Sequence, residues 1–270
     1  MRLSFKLCVQ RSIEVWVLAL VLALALGAPV FAQSATTAAA PAKPAPAANA
    51  VPTPTADQIL DTYVKAIGGR EAWKKLTSRV TIGTIEVPAM GLSGTIEMHE
   101  KAPNLVVARI TINGASFSQG FDGSIGWADD PQNGLREQTG AELTETKRDA
   151  DFYHPLDLRQ LYSKFTVTGI EKINDRDMYV IEASAANGEI DKMYFDFQTG
   201  LVQRIVGHHH SPDGVSEFTE DLSDYREVDG IKLPFLVHQS SAESTFTITF
   251  AEVHHNVPLV NSEFSKPAAQ

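Results

Sequence analysis

Glycine preceded by a short polar residue recurs along this sequence at intervals that suit β-hairpins. Seven such dipeptides fall into two groups, and neighbours within each group lie 9 to 16 residues apart. Because glycine reaches the positive φ angles of tight hairpin turns without steric cost, Asn-Gly and Asp-Gly are strong hairpin signals. The rhythm predicts an antiparallel meander. The dipeptides are Asn113-Gly114, Asp122-Gly123, Asn133-Gly134, Asn187-Gly188, Thr199-Gly200, Asp213-Gly214 and Asp229-Gly230.

The segments between these turns have the composition of strands. From Ser78 onward, the runs VTIGTIEV, GTIEMHE, NLVVARITI and ASFSQGF are short, rich in β-branched residues and bounded by Gly, Pro or Asn. Ahead of them, Asp57 to Ile67 has helical apolar spacing, and Thr55 with Gln58 has the spacing of a capping box. REAWKKL predicts a second short helix. The fold class is therefore α+β.

One long interval, from Gly134 to Asn187, interrupts the turn rhythm. It contains GAELTETKRDADFYHPLDLRQLY, which combines helical spacing with residues that favour helices. We therefore expect a helical insertion between two groups of strands. One domain can contain all of these elements.

The N-terminal residues 1–32 have the three parts of a secretory signal peptide. Arg2, Lys6 and Arg11 precede the apolar run VWVLALVLALALGAPV, and small residues lead to a predicted cleavage site after Ala32. Retention of this run as a membrane anchor is the alternative. Residues 33–56 are rich in alanine and proline and predict an extended disordered linker. The folded domain is expected to span residues 57–270.

Cysteine and charge restrict the chemistry of the exported chain. The single cysteine, Cys8, lies in the signal segment, so the mature chain has neither a disulfide nor a thiolate metal site. Removal of residues 1–32 leaves 20 basic and 32 acidic residues, a formal charge of −12. Such an acidic chain is poorly suited to nucleic acid or to anionic lipid headgroups.

Catalytic motifs give no support for an enzyme. The sequence has no G-x-S-x-G, no H-E-x-x-H and no phosphate-binding glycine loop. On a strand, His208 and His210 share a face, and His254 from a neighbouring strand is a possible third zinc ligand. This metal site is kept as an alternative, because only two of the ligands are fixed by spacing. No cofactor is predicted.

The segment QGFDGSIGWADD favours a tight hairpin over a catalytic loop. A two-residue turn at Asp122-Gly123 places large residues opposite small ones on both faces, which is good cross-strand packing. The predicted pairs are Phe121 with Ser124, Gly120 with Ile125 and Ser118 with Trp127.

Apolar residues that share a strand face form rows along several strands. A curved antiparallel sheet would direct these rows to its concave side, where the helices would cover them. The rows either form a filled core or line a cavity for an apolar ligand. The candidate cavity residues are Val106, Ala108, Ile110, Phe121, Trp127, Phe195, Phe197, Phe235, Phe246 and Phe250.

Four segments behind the signal peptide, taken in order, carry a family resemblance. FDGSIGWADDP, YFDFQTGLVQR, DYREVDGIKLPF and FTITFAEVHHNVPL resemble the outer-membrane lipoprotein-sorting (LolA/LolB-like) superfamily. The resemblance spans about residues 57–267. It implies a strongly curved antiparallel sheet, an incomplete β-barrel, with an N-terminal helix and a helical insertion covering the concave face. An apolar cavity for acyl chains is implied as well.

The leading hypothesis is an exported binding protein, periplasmic or secreted, rather than an enzyme. It would carry or sense a lipid or lipoprotein acyl chain, with residues 134–187 as the lid, and would have no stable membrane span after signal removal. The alternative is an interaction or sensor module of the cell envelope with a solid core and a protein partner. The histidine-dependent metal site is the third possibility.

Overall fold

The computed structural model describes residues 53–131, 133–185, 188–211, 214–242 and 244–268. The predicted signal peptide and nearly all of the predicted linker lie outside these ranges, as do Asn187 of the predicted Asn187-Gly188 turn and Asp213 of the predicted Asp213-Gly214 turn. No helix among the described residues is long and apolar enough to cross a membrane.

The chain forms four helices and thirteen strands in the described ranges. The helices are α1 (Ala56–Ala66), α2 (Arg70–Trp73), α3 (Gly140–Asp149) and α4 (Leu158–Leu161). Short 3-10 turns span Pro88–Met90, His154–Leu156 and Asn261–Phe264. The strands are β1 (Ser78–Val87), β2 (Leu92–Lys101), β3 (Leu105–Ile112), β4 (Ala115–Phe121), β5 (Gly126–Asp130), β6 (Gly134–Glu137), β7 (Lys164–Ile173), β8 (Arg176–Ser184), β9 (Ile190–Asp196), β10 (Val202–Ser211), β11 (Gly214–Val228), β12 (Ile231–Ser241) and β13 (Thr245–His255).

All thirteen described strands form one antiparallel sheet. Its order is β6-β5-β4-β3-β2-β1-β13-β12-β11-β10-β9-β8-β7, so every two adjacent strands are consecutive in the chain except β1 and β13. The sheet is not closed, because β6 and β7 are its two edges, and the helical segment 140–161 connects them. The predicted α+β class and the incomplete barrel are confirmed.

The N-terminal helix begins where the capping box predicts. The Thr55 hydroxyl accepts from the Gln58 amide at 3.2 Å, and the Gln58 side chain accepts from the Thr55 amide at 2.9 Å. After the helix, the Lys232 amide donates to the Ile67 carbonyl at 3.1 Å. A Cβ at Gly68 would lie 2.3 Å from the Gly230 carbonyl oxygen, so glycine permits this close approach of helix end and β11–β12 turn.

The helical insertion is confirmed, but it is shorter than the turn rhythm predicts. Helices occupy parts of 140–161, whereas Lys164 to Ser184 forms the β7–β8 hairpin. That hairpin turns at Asn174 and Asp175, which have φ angles of 46° and 63°. Because its turn lacks glycine, the sequence rhythm did not reveal this hairpin.

The predicted register of the β4–β5 hairpin is wrong by two residues. Asp122 is at the first corner of the turn rather than in its centre, and its carboxylate accepts from the amides of Ser124 at 2.9 Å and Ile125 at 2.7 Å. This side-chain bonding moves the turn by one residue and the pairs by two, which leaves every side chain on its original face. The observed pairs are Phe121 with Gly126, Gly120 with Trp127 and Ser118 with Asp129.

Candidate functional site

The ten predicted cavity residues occupy three different environments. Trp127 lies in a separate cluster with Val107, Leu259 and Phe264, where its indole donates to the Phe264 carbonyl at 2.9 Å. Eight others belong to the main core and are at most 4% exposed. These eight are Val106, Ala108, Ile110, Phe121, Phe195, Phe235, Phe246 and Phe250.

Phe197 does not continue the inner row of Phe195, contrary to the expectation of a shared strand face. Strand β9 ends at Asp196, and the Asp196 carboxylate accepts from the amides of Gln198 and Thr199 at 3.0 and 2.7 Å. This turn changes the direction of the chain. The Phe197 ring is 38% exposed and stacks on Tyr179 with ring centres 3.8 Å apart.

A pocket lies between the helices and the inner face of β9–β12. The helical side, called the roof here, consists of α1, α2, the turn His154–Leu156 and α4. None of the ten predicted residues lines this pocket. The lining residues are Tyr63, Ile67, Trp73, His154, Pro155, Leu158, Met193, Val202, Ile205, Leu222, Tyr225, Lys232, Leu233 and Pro234.

The pocket is apolar and narrow. Its cavity measures about 70 Å³, within a concavity of about 630 Å³ counted out to its open mouth. The Tyr225 hydroxyl is bound to the Val202 carbonyl at 2.7 Å, and the His154 Nδ1 lies 3.2 Å from the Asp151 carbonyl. The pocket therefore offers mainly hydrocarbon contacts.

The roof is joined to the sheet through aromatic and charged side chains. On α1, the Tyr63 ring meets Phe195 edge-on, with centroids 5.6 Å apart. Beneath α2, the buried Arg79 guanidinium lies 5.9 Å from the Trp73 ring centre and 5.5 Å from that of Phe152. Arg79 also binds Glu100 through two contacts of 2.6 Å.

Helix α3 is docked on β9 and β10 by ionisable groups. Glu145 Oε2 accepts from the His210 amide at 3.0 Å and lies 3.1 Å from His209 Nδ1. Burial lowers the pKa of Arg148, but the carboxylates of Asp149, Glu145 and Asp191 outweigh burial and raise that pKa above its ordinary value. The contacts of Glu145 with β10 and the attraction between Arg148 and Asp191 of β9 therefore join this part of the insertion to the sheet.

The histidine arrangement differs from the one that a zinc site needs. On β10, His209 is buried, whereas His208 and His210 are partly exposed on the other face. His254 pairs with Val80 on β1, and two strands separate its own strand from β10. Among the described residues, no group of three or more His, Cys, Asp or Glu could hold a metal ion.

Comparison with known proteins identifies the fold. No family model and no curated protein sequence matches the chain. Among solved structures, a DUF1329 family protein from Desulfovibrio piger has a TM-score of 0.54 at 14% identity, covering 79% of this chain and 98% of its own.

Two further structures bear the name that the sequence segments suggest. A LolA superfamily protein from Nitrosomonas europaea has a TM-score of 0.50 at 14% identity, covering 79% of this chain and 99% of its own. An outer membrane lipoprotein-sorting protein domain from Vibrio parahaemolyticus also has a TM-score of 0.50 at 14% identity, covering 78% of this chain and 97% of its own. The chain has a LolA-like fold, and the suspected resemblance is confirmed at the level of the fold.

Proposed function

We propose that the protein is an exported carrier or sensor of an apolar ligand, a lipid or lipoprotein acyl chain. The observation that carries this proposal is the apolar pocket between the roof and the inner face of β9–β12. Apolar ligands gain roughly 0.8 kcal/mol per buried methylene, so hydrocarbon contacts alone supply useful affinity. The fold of lipoprotein-sorting structures supports the same class of cargo.

Binding of a whole chain requires the roof to move. An apolar cavity of about 150 Å³ takes up benzene, whereas the cavity here measures about 70 Å³. A ligand with a long chain must therefore displace roof residues such as Leu158 and Pro155. Because these residues belong to the connection between the two sheet edges, they can move without breaking a strand ladder.

We propose that the protein resides in the periplasm or outside the cell. The predicted signal peptide supports export, and the proposed ligand is available at the envelope. The proposal includes no catalytic step, no cofactor and no nucleic-acid partner.

Gentle purification followed by lipid extraction and mass spectrometry tests the proposal. We expect a co-purified lipid, or saturable binding of a fluorescent fatty acid by the emptied protein. The absence of both results would remove the carrier hypothesis.

A pair of substitutions on α4 tests the location of the site. Leu158 lines the pocket, whereas Leu161 on the same helix does not. Leu158→Trp fills the pocket and should weaken fatty-acid binding at least tenfold, with an overpacking cost of about 1–3 kcal/mol in stability. Leu161→Trp is the matched control and should retain binding. Equal binding by both variants would contradict this site.

A second candidate function is an interaction module of the cell envelope. It is supported by β7, a ten-residue strand at the edge of the described sheet, which offers its free side to an added strand. Its test is cross-linking in the native envelope, where a partner attached to residues of β7 in a lipid-free protein favours this function over a carrier.

A further inference from the structure

The pocket lining has one lysine and no acidic side chain. Of its fourteen residues, Lys232 alone is a Lys or Arg, and none is Asp or Glu. We infer that the pocket selects single-chain amphiphiles with an anionic head, whose carboxylate or phosphate binds the Lys232 ammonium at the mouth. This inference rests on the proposed function and adds the class of headgroup to it.

The position of Lys232 suits contact with a headgroup. It is the second residue of β12, and its amide is held by the Ile67 carbonyl at the end of α1. Lys232 is exposed, while the next residue, Leu233, is 3% exposed. Both residues contribute to the lining of the pocket, so a cation at the water boundary adjoins the apolar wall, as an amphiphile requires.

The Lys232 ammonium is available for a ligand. Its cross-strand neighbour is Glu227, but no ion pair within 4.0 Å involves Lys232 in the described part of the chain. Glu227 does not line the pocket. The other two polar groups discussed above, the Tyr225 hydroxyl and His154 Nδ1, already face backbone carbonyls. Lys232 is thus the best placed of these groups to bind an anion.

The test compares ligands that share a chain and differ in the head. Dodecanoate, dodecanol and dodecyltrimethylammonium are titrated calorimetrically into the delipidated full mature protein, below the micellar concentrations of the two ionic probes and below the solubility limit of dodecanol. We expect dodecanoate to bind more tightly than dodecanol, and the cationic probe to bind most weakly. Since chain burial is common to all three, the differences report the headgroup.

Substitution of the lysine then assigns the preference to one residue. Lys232→Gln should weaken dodecanoate binding about three- to fivefold, the upper part of the range for an exposed ion pair, and leave dodecanol binding unchanged. Lys147→Gln, an exposed lysine on α3, is the matched control and should change neither. Melting curves of both variants check that they are folded.

Two negative results have different meanings. Equal binding of dodecanoate and dodecanol, or a Lys232→Gln variant with unchanged dodecanoate affinity, overturns the inference and leaves the carrier proposal intact. No binding of any twelve-carbon probe overturns the carrier proposal and the inference together.

Repeating the titration with dodecanoyl lysophosphatidate distinguishes the source of the anion. If lysophosphatidate binds more tightly than dodecanoate and its binding depends on Lys232, the headgroup is a lipid phosphate. If lysophosphatidate binds more weakly than dodecanoate, and dodecanoate binding still depends on Lys232, the headgroup is a fatty-acid carboxylate. Lysophosphatidate binding that is independent of Lys232, at equal or greater affinity, overturns the inference for phosphate heads.

Discussion

The buried Arg79 guanidinium places a positive charge in the interior of the open barrel, where several partners together must compensate for its lost hydration. A guanidinium removed from water loses its hydration, and this loss is offset only by good geometry and complete bonding. Glu100 supplies the two-point contact, while Trp73 and Phe152 supply ring faces on the roof side. Replacing either ionic partner alone would leave a buried unpaired charge, so the pair stabilises the fold as a unit.

His255 is the neighbour of Arg79 across the β1–β13 ladder. Burial, followed by repulsion from Arg79, lowers the pKa of His255 below its ordinary value of 6.5, although a 2.9 Å contact with Asp229 acts in the opposite direction. Unfolded chains therefore take up a proton at His255 at a higher pH than the folded protein does. Folding stability falls as the pH drops through about 6.5 towards the lower folded-state pKa.

We predict that His255→Gln reduces the loss of stability on acidification. In wild type this site contributes a slope of at most about 1.4 kcal/mol per pH unit below pH 6.5, and the variant lacks it. Urea denaturation at pH 7.5 and pH 5.5 measures the difference. His254→Gln is the control, because the His254 side chain is 56% exposed. The same pH dependence in wild type and His255→Gln would contradict the prediction.

The alternation of residues along the strands predicted which side chains are buried. It did not predict which of the buried side chains line a cavity. Strands have a period of two, so Phe121, Phe235 and Phe250 were correctly assigned to the interior without knowledge of the register. Trp127 shows the limit of this reasoning. Its ring lies on the opposite face over Gly120, where an added Cβ would be 2.8 Å from the indole. Burial there depends on the C-terminal segment, which alternation cannot locate.

At the scale of elements, α3 is the part of the insertion with the clearest electrostatic attachment. It also contacts β5 and β6, where Arg136 binds Glu142 through contacts of 2.8 and 2.6 Å. Its inner face bears Glu145, Thr146 and Asp149, all at most 6% exposed. A helix buried through acids rather than through apolar residues depends strongly on the groups opposite, here the His210 amide and the His209 imidazole.

We predict that Glu145→Ala loosens α3 without unfolding the sheet. The change leaves the His210 amide without its carboxylate acceptor and should cost about 1–3 kcal/mol. Hydrogen exchange followed by mass spectrometry should show faster exchange across residues 140–149, with the β11–β12 ladder unchanged. Lys147→Ala, on the exposed face of the same helix, should exchange as wild type does. Equal protection of α3 in both variants would contradict this attachment.

Local signals identified several elements whose start or end depends on a few consecutive residues. The capping box of Thr55 and Gln58 depends on four consecutive residues, and so do the turns at Asn113-Gly114 and Asp229-Gly230, whose φ angles are positive at both residues. The turn at Asn174 and Asp175 was missed because residues other than glycine adopt the left-handed backbone conformation there.

For the whole molecule, the open barrel was predictable and the pocket was not. The pocket arises where α1 and α4 meet β9–β12, which lie far away in sequence. Apolar rows indicate which strand faces are inward, but the position of a gap depends on how completely the helices fill the concave side. The position of the gap depends on differences in packing as small as one methyl group. The strand patterns of a single sequence do not specify packing at that level.

We predict that the exported protein begins at Gln33. Expressed with its own leader in a Gram-negative host, the chain should be recovered from the periplasm with the mass of residues 33–270. Cleavage follows from the basic, apolar and small-residue regions of residues 1–32. Intact-mass spectrometry of periplasmic and membrane fractions provides the measurement. An uncleaved chain in the membrane fraction would support the anchor alternative.

The pairing of β1 with β13 joins the N-terminal group of strands, β1–β6, to the C-terminal group, β7–β13. In the described sheet, all the remaining ladders join strands that follow one another in the chain. The β1–β13 ladder instead pairs Ile85 with Ile248, which are far apart in the sequence. The entropic cost of bringing distant segments together is thus concentrated in this one junction. This junction lies at the middle of the strand order, with six strands on one side and seven on the other, so it is the part of the sheet farthest from the two free edges, β6 and β7.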